Sequence, residues 1–296
     1  MSPRADAHHH VWRLDRGDYG WLTPALATIY RDFGLADMRP LLASAGVSAT
    51  VLVQAAPTVA ETEYLLRVAR ASEGLVRGVV GWVDLAASDA VPTLARLARE
   101  TMLKSIRPML QDLPDPEWIL REDVGRALSA LPDLGLSFDA LVKPLQLPAL
   151  LRLLDRHPDL AIVIDHGGKP EISTGAWEPW AGCIAALSRN PRVECKLSGL
   201  VTEAGPGWTV ETLRRYVDHL LECFGPRRLL WGSDWPVVDL GGGYRRWWAA
   251  TETLLSGQAV ADREAILGGN ARRFYRLDQA REIQSLSLKS SRDSSG

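Results

Sequence analysis

Cysteine is nearly absent from this sequence. Cys183, Cys195 and Cys223 are the only three among 296 residues. An odd count without CxxC spacing excludes a disulfide scaffold and a cysteine-based zinc or redox motif, and it fits a reducing cytoplasm. Long apolar runs are missing too: none approaches the roughly 18 residues of a membrane span. The polar start MSPRADAHHH has no apolar core of a secretory leader. Charge of one sign is not in excess. With 34 Lys and Arg against 36 Asp and Glu, the net charge is -2, which gives no pull toward nucleic acid or an anionic membrane. Histidine is scarce at six residues, yet three stand together in DAHHHVW, residues 6–12. The flanking Asp-Ala and Val-Trp are unlike the Gly/Ser setting of a purification tag, so the run is read as native.

Apolar content is ample, at 46% of the chain, enough for a large core. Eight apolar, β-branched segments recur: one around Ala5–His8, then 49–56, 76–85, 103–110, 136–143, 160–168, 193–200 and 228–236. Several are nearly continuous apolar runs, as strands buried on both faces require. Helical periodicity fills the intervals. In AETEYLLRVARAS (60–72), Leu65, Leu66, Val68 and Ala69 fall on one side, while Glu61, Glu63, Arg67 and Arg70 lie largely elsewhere. Strands alternating with helices imply a parallel sheet. Eight such units in about 270 residues predict a closed (β/α)8 TIM-type barrel, in a single domain over 1–277. A doubly wound open sheet is the rival, but no Gly-rich phosphate turn follows the first strand. The aromatic-rich stretch Val11–Leu35 is expected to form an ordered loop cap over one barrel mouth. The Ser-rich polar end, 278–296, is expected to be a frayed, disordered tail.

In such a barrel the chemistry gathers at the C-terminal ends of the strands. Those ends carry His8-His9-His10, Gln54, Trp82 with Asp84, Arg107, Asp139, Asp165-His166, Lys196 with Ser198, and Ser233-Asp234-Trp235. Strand alternation turns His8 and His10 to one face and His9 to the other, so the useful pattern is His-x-His. Structural explanations remain open for each residue. Asp234 could cap a helix, and His166 could bond its glycine turn. Arg107 could pair with Asp139 or Asp84, Lys196 could be a solvated charge, and the tryptophans could be core. Lys169 and Pro170 are read as loop-shaping.

The His-x-His on the first strand and the Asp on the eighth resemble the metal-dependent-hydrolase (amidohydrolase) superfamily. The stretches DAHHHVW, GDYGWLTP, VLVQAAPT, GVVGWVDL, IRPMLQ, IDHGGKP, CKLSGL and LLWGSDWPV resemble its sugar-lactonase-like branch, which includes L-fuconolactonases, L-rhamnonolactonases and sulfomuconolactone hydrolases. The resemblance runs from residue 6 to about 277. Two-metal members carry a bridging Lys or Glu on strand four and a His on strand five. This chain has Arg107 and Asp139 there, and arginine is not a metal ligand.

The resemblance therefore implies either no required metal or one divalent ion, zinc first, on His8, His10, His166 and Asp234. It implies a lactonase, a hydrolase of carboxylic ester bonds, acting on a small-molecule aldonolactone. Asp234 would activate water and return its proton to the leaving oxygen. His8, His10 and His166 would orient the water or polarise the carbonyl. Gln54, Trp82, Arg107, Asp139, Lys196 and Trp235 would bind substrate. Neither nucleic acid nor membrane is expected as a partner, and a homo-oligomer is left open. A zinc-dependent decarboxylase of aromatic or unsaturated acids on the same barrel is one alternative. A catalytically silent ligand-binding barrel is the other.

Overall fold

A computed structural model describes residues 3–278. Eight strands run in parallel in the order 1 to 8: β1 Arg4–His9, β2 Val47–Val53, β3 Val76–Gly81, β4 Leu103–Ile106, β5 Ser137–Ala140, β6 Ile162–Ile164, β7 Val193–Leu197 and β8 Leu229–Trp231. The seam between β8 and β1 is closed just beyond the last strand. His9 pairs in parallel with Trp235, His10 N–H donates to Trp235 O at 2.7 Å, and Asp234 N–H donates to His8 O at 2.8 Å. One carboxylate reinforces the seam: Asp6 Oδ1 accepts from His8 N–H at 3.1 Å and Ser233 N–H at 2.9 Å. The (β/α)8 barrel expected from strand and helix alternation is the observed fold.

Helices wrap the sheet: α1 Leu35–Ala45, α2 Val59–Arg70, α3 Ala90–Leu97, α4 Glu122–Ala130, α5 Leu147–Arg156, α6 Trp180–Leu187, α7 Leu200–Ala204, α8 Val210–Phe224, α9 Tyr244–Leu254, α10 Val260–Glu264 and α11 Asn270–Phe274. Local sequence starts and buries them. Thr58 Oγ1 caps α2 by accepting from Glu61 N–H at 3.0 Å, which satisfies an otherwise orphaned donor. In α5, Leu147, Leu150, Leu153 and Leu154 form one buried stripe. Each fully buried leucine contributes roughly 1.5–3 kcal/mol. The stripe therefore holds the helix more firmly than its own short backbone could.

The strands are shorter than the apolar runs that encode them. The run 160–168 yields only Ile162–Ile164, because His166, Gly167 and Gly168 enter the left-handed region at φ 54°, 62° and 73° and bend the chain out of the ladder. The cap over Val11–Leu35 is ordered as expected. Trp12 and Phe33 exchange both backbone hydrogen bonds at 3.0 Å. Trp12 Nε1 donates to Arg31 O and Trp21 Nε1 donates to Ala55 O, each at 2.7 Å. The predicted polar tail lies, from residue 279 on, outside the described residues. No helix among the described residues is long and apolar enough to cross a membrane.

Candidate active site

The strand ends frame a cleft, open to solvent on one side and lined by His10, Arg107, His166 and Asp234 among others. Its floor is built from both chain ends. Alternation along β1 works as the sequence implied. His9 turns outward, and its Nε2 meets Thr50 Oγ1 at 2.9 Å. Burial lowers its pKa to about 3. His8 and His10 turn inward, with their Nε2 atoms 3.2 Å apart. Asp234 Oδ1 lies 3.4 Å from His10 Nε2, 3.7 Å from His8 Nε2 and 4.0 Å from His166 Nε2. Four residues up to 226 positions apart therefore face one point.

Backbone conformation aims two of them. His166 and Asp234 hold φ at 54° and 58°, a left-handed state that costs a non-glycine residue on the order of 1–3 kcal/mol and clusters at functional sites. Two glycines make room. A Cβ on Gly199 would stand 2.4 Å from His166 Nδ1, and one on Gly232 would stand 2.7 Å from the His8 Cβ.

Hydrogen bonds orient the imidazoles. His10 Nδ1 faces Val53 O at 2.9 Å; a carbonyl only accepts, so Nδ1 carries a hydrogen and Nε2 is turned toward Asp234. His8 Nδ1 faces Lys196 Nζ at 3.1 Å and its Nε2 faces Arg107 Nη1 at 3.4 Å; both partners only donate, so His8 is held between two cations. Burial, reinforced by Lys196, keeps the His8 pKa well below the usual range. Burial takes that of His166 down to about 4. Both are neutral imidazoles at pH 7. Burial pushes the Asp234 pKa up, but His166, His10 and Lys169 outweigh it, and the net shift is downward. Asp234 is a carboxylate at pH 7.

The residues 5–277 match the family profile of the Amidohydrolase group. This chain belongs to the amidohydrolase family. An L-fucono-1,5-lactonase from Burkholderia ambifaria is 46% identical over 283 residues, covering 94% of this chain and 97% of that protein. Another from Burkholderia multivorans is 35% identical, covering 93% and 97%. A crystal structure of an amidohydrolase from Burkholderia multivorans with bound zinc is 34% identical, with a TM-score of 0.87, covering 93% of this chain and 99% of that one. A 2,6-dihydroxybenzoate decarboxylase at 15% identity shares the fold alone.

The donor set of this amidohydrolase fits a single divalent ion. Zinc bonds of about 2.0–2.1 Å to nitrogen and oxygen place tetrahedral ligands roughly 3.3 Å apart, close to the separations among His8, His10 and Asp234. Val53 O already orients His10 from behind, as outer partners of metal ligands do. His8 would ligate through Nε2 with its hydrogen on Nδ1, 3.5 Å from Asp165 Oδ1. A second ion is opposed by Arg107, whose Nη1 stands 3.4 Å from His8 Nε2.

Of the six residues expected to bind substrate, only Arg107 lines the cleft. Gln54 is spent on holding it: Oε1 accepts from Arg107 Nη2 at 2.8 Å, and Nε2 donates to Arg107 O at 3.0 Å. Lys196 and Asp139 lie below the floor with no exposure. Lys196 Nζ sits 2.6 Å from Asp139 Oδ2 and 2.9 Å from Asp165 Oδ1. Trp82 is half-buried away from the cleft. Trp235 packs edge-on to Phe33 at 5.3 Å, because the turn at Asp234 sends it to the outer side. Trp21, by contrast, lines the cleft wall, and so does Lys169, paired with Glu203 at 2.8 Å. Lys169 was expected only to shape its loop.

Three contributors were not assigned from sequence. Asp165 anchors the floor, bonding Arg107 Nη1 at 3.1 Å. Burial opposes its charge, but Lys196, His8 and Arg107 hold its pKa well below the usual value. Asp6 ties His8 N–H to Ser233 N–H, and the β1–β2 register shift between Asp6 and His9 breaks the alternation that could have marked it. Tyr275, whose hydroxyl donates to Asp139 Oδ2 at 2.7 Å, comes from beyond α11 and left no local signal.

Proposed function

We propose that this amidohydrolase opens the cyclic ester of a sugar-acid (aldono-) lactone. The observation that carries the proposal is the Asp234 carboxylate facing three imidazole Nε2 atoms within 3.4–4.0 Å at the floor of the cleft. The names of the two Burkholderia relatives support the same class of substrate.

Asp234 takes a proton from water as the oxygen attacks the lactone carbonyl carbon. It then returns that proton to the ring oxygen as the acyl C–O bond breaks. A carboxylate with a depressed pKa is a weak base, so position has to supply much of the effect: holding the water against the carbonyl substitutes for a bimolecular encounter. The Arg107 guanidinium, which lines the cleft, faces the developing oxyanion as a donor, and His8 is packed beside it at 3.4 Å. His10, anchored through Nδ1 to Val53 O, orients the attacking water through Nε2. His8, His10, His166 and Asp234 would hold a divalent ion, which when bound supplies Lewis acidity.

The test is a weakly buffered pH-indicator assay on a panel of aldonolactones, since ring opening releases acid. The Asp234→Asn variant is expected to lose about 10²–10⁴ in kcat, the usual weight of positioned acid–base catalysis, while its circular dichroism and melting curve stay those of a folded barrel. Turnover within threefold of wild type would remove Asp234 from the chemistry.

A further inference from the structure

Four charged side chains line the cleft: Arg107, Lys169, Asp112 and Asp234. Both cations are already matched by carboxylates of the protein, Arg107 by Asp165 at 3.1 Å and Lys169 by Glu203 at 2.8 Å. Lys196, beneath the floor, is matched by Asp139. Asp112 is exposed at the cleft mouth and has no cation partner among the described residues; its carboxylate accepts one hydrogen bond, from Gln111 Nε2 at 3.4 Å. A divalent ion at His8, His10 and Asp234 would outweigh the single charge of Asp234 at the floor and leave Asp112 as the negative charge at the mouth. Gln111, next to it, also lines the cleft. Acceptors complement hydroxyl donors and repel another carboxylate.

Lactone hydrolysis changes charge. Water adds across the acyl C–O bond, giving a hydroxyl and a carboxylic acid that ionises at neutral pH. We propose that Asp112 makes the cleft a charge filter. It admits an uncharged polyhydroxylated lactone, disfavours lactones bearing a carboxylate, and weakens the hold on the aldonate product. The filter rests on the lactonase proposal only for the identity of these ligands.

Product inhibition and substrate preference test it. In the wild type, the aldonate inhibition constant is expected to exceed the KM of its lactone by at least about tenfold. A lactone of the same ring with a terminal carboxylate is expected to show a similar deficit in kcat/KM. Asp112→Asn should narrow both ratios by about three- to tenfold, the scale of one unit charge across a hydrated cleft. Added salt should narrow them in the wild type and not in the variant. Asp112→Glu should retain the filter. Calorimetry with the corresponding sugar lactam, uncharged and resistant to opening, against the aldonate reads the same discrimination without turnover. If no aldonolactone is turned over but the lactam outbinds the aldonate in an Asp112-dependent way, the lactonase proposal fails and the filter stands. Equal binding of lactam and aldonate, binding of neither, or ratios unchanged in Asp112→Asn would overturn the filter.

Discussion

Replacing Lys196 by methionine isolates what the buried floor contributes. Methionine keeps the length of the side chain and removes the charge. Lys196 has no exposure, and its ammonium serves Asp139 at 2.6 Å, Asp165 at 2.9 Å and His8 Nδ1 at 3.1 Å. Without it, two fully buried carboxylates share one remaining cation, Arg107. Stripping one partner from a buried ion pair costs about 3–5 kcal/mol, because the other charge stays in a medium that cannot solvate it. At roughly 2–4 °C per kcal/mol for a domain of this size, the melting temperature should fall by about 6–20 °C.

The double variant Lys196→Met/Asp139→Asn removes one of the stranded charges and should regain roughly half of the loss, a coupling that only neighbouring groups show. The depressed Asp165 pKa stabilises the fold above the ordinary value of 3.8 and loses that contribution as pH falls. The gap between wild type and Lys196→Met should therefore shrink below pH 4. Urea denaturation followed by circular dichroism, at several pH values, measures all three. A single variant within 1 kcal/mol of wild type by the linear extrapolation, or a double variant less stable than the single, would refute the account of the floor as a mutually neutralised ion cluster.

Gly199→Ala would put a methyl 2.4 Å from His166 Nδ1 at φ 65°; turnover should collapse with a stability loss of roughly 1–3 kcal/mol, and unchanged kinetics would detach His166 from the reaction. Zinc added to chelator-treated protein should raise the melting temperature of wild type and not of His10→Ala; an equal rise in both would place the ion elsewhere. Glu61, which accepts from Ala55 N–H and Ala56 N–H at the end of β2, has its pKa pushed up to about 7 by burial. A raised carboxyl contributes stability that is full below its ordinary value of 4.5 and is lost as pH climbs through 7. The stability of wild type relative to Glu61→Gln should thus fall between about pH 5 and pH 8, and a gap that does not change with pH would contradict the burial argument.

The readable parts of the site were those where a local rule acts. Alternation on one strand separates His9 from His8 and His10, and the structure follows it over these three residues even though the β1–β2 register shifts between Asp6 and His9. The rule weakens wherever a strand bends. At 165–168 the left-handed turn brings His166 over the floor beside Asp165 instead of opposite it, and the turn at Asp234 swings Trp235 outward. Polar residues such as Gln54, Asp139 and Lys196 do lie at strand ends, but depth decides their task. Below the floor they bond one another and fix Arg107 and His8, out of reach of any ligand. Asp112 ends a single 3-10 turn, Leu110–Asp112, and Lys169 follows another, too short for a periodic signal to mark them.

The sequence alone determined the barrel, since eight buried parallel strands with intervening amphipathic helices leave few other ways to cover both faces of each strand. It also determined the chemical types available at the strand ends. Closure of the β1–β8 seam decided which of those groups meet, because distances between residues 226 positions apart follow from ring geometry and not from spacing. The tertiary structure also decided which charges are spent in pairs and which face the cleft, for that depends on depth and on neighbours contributed by every strand at once.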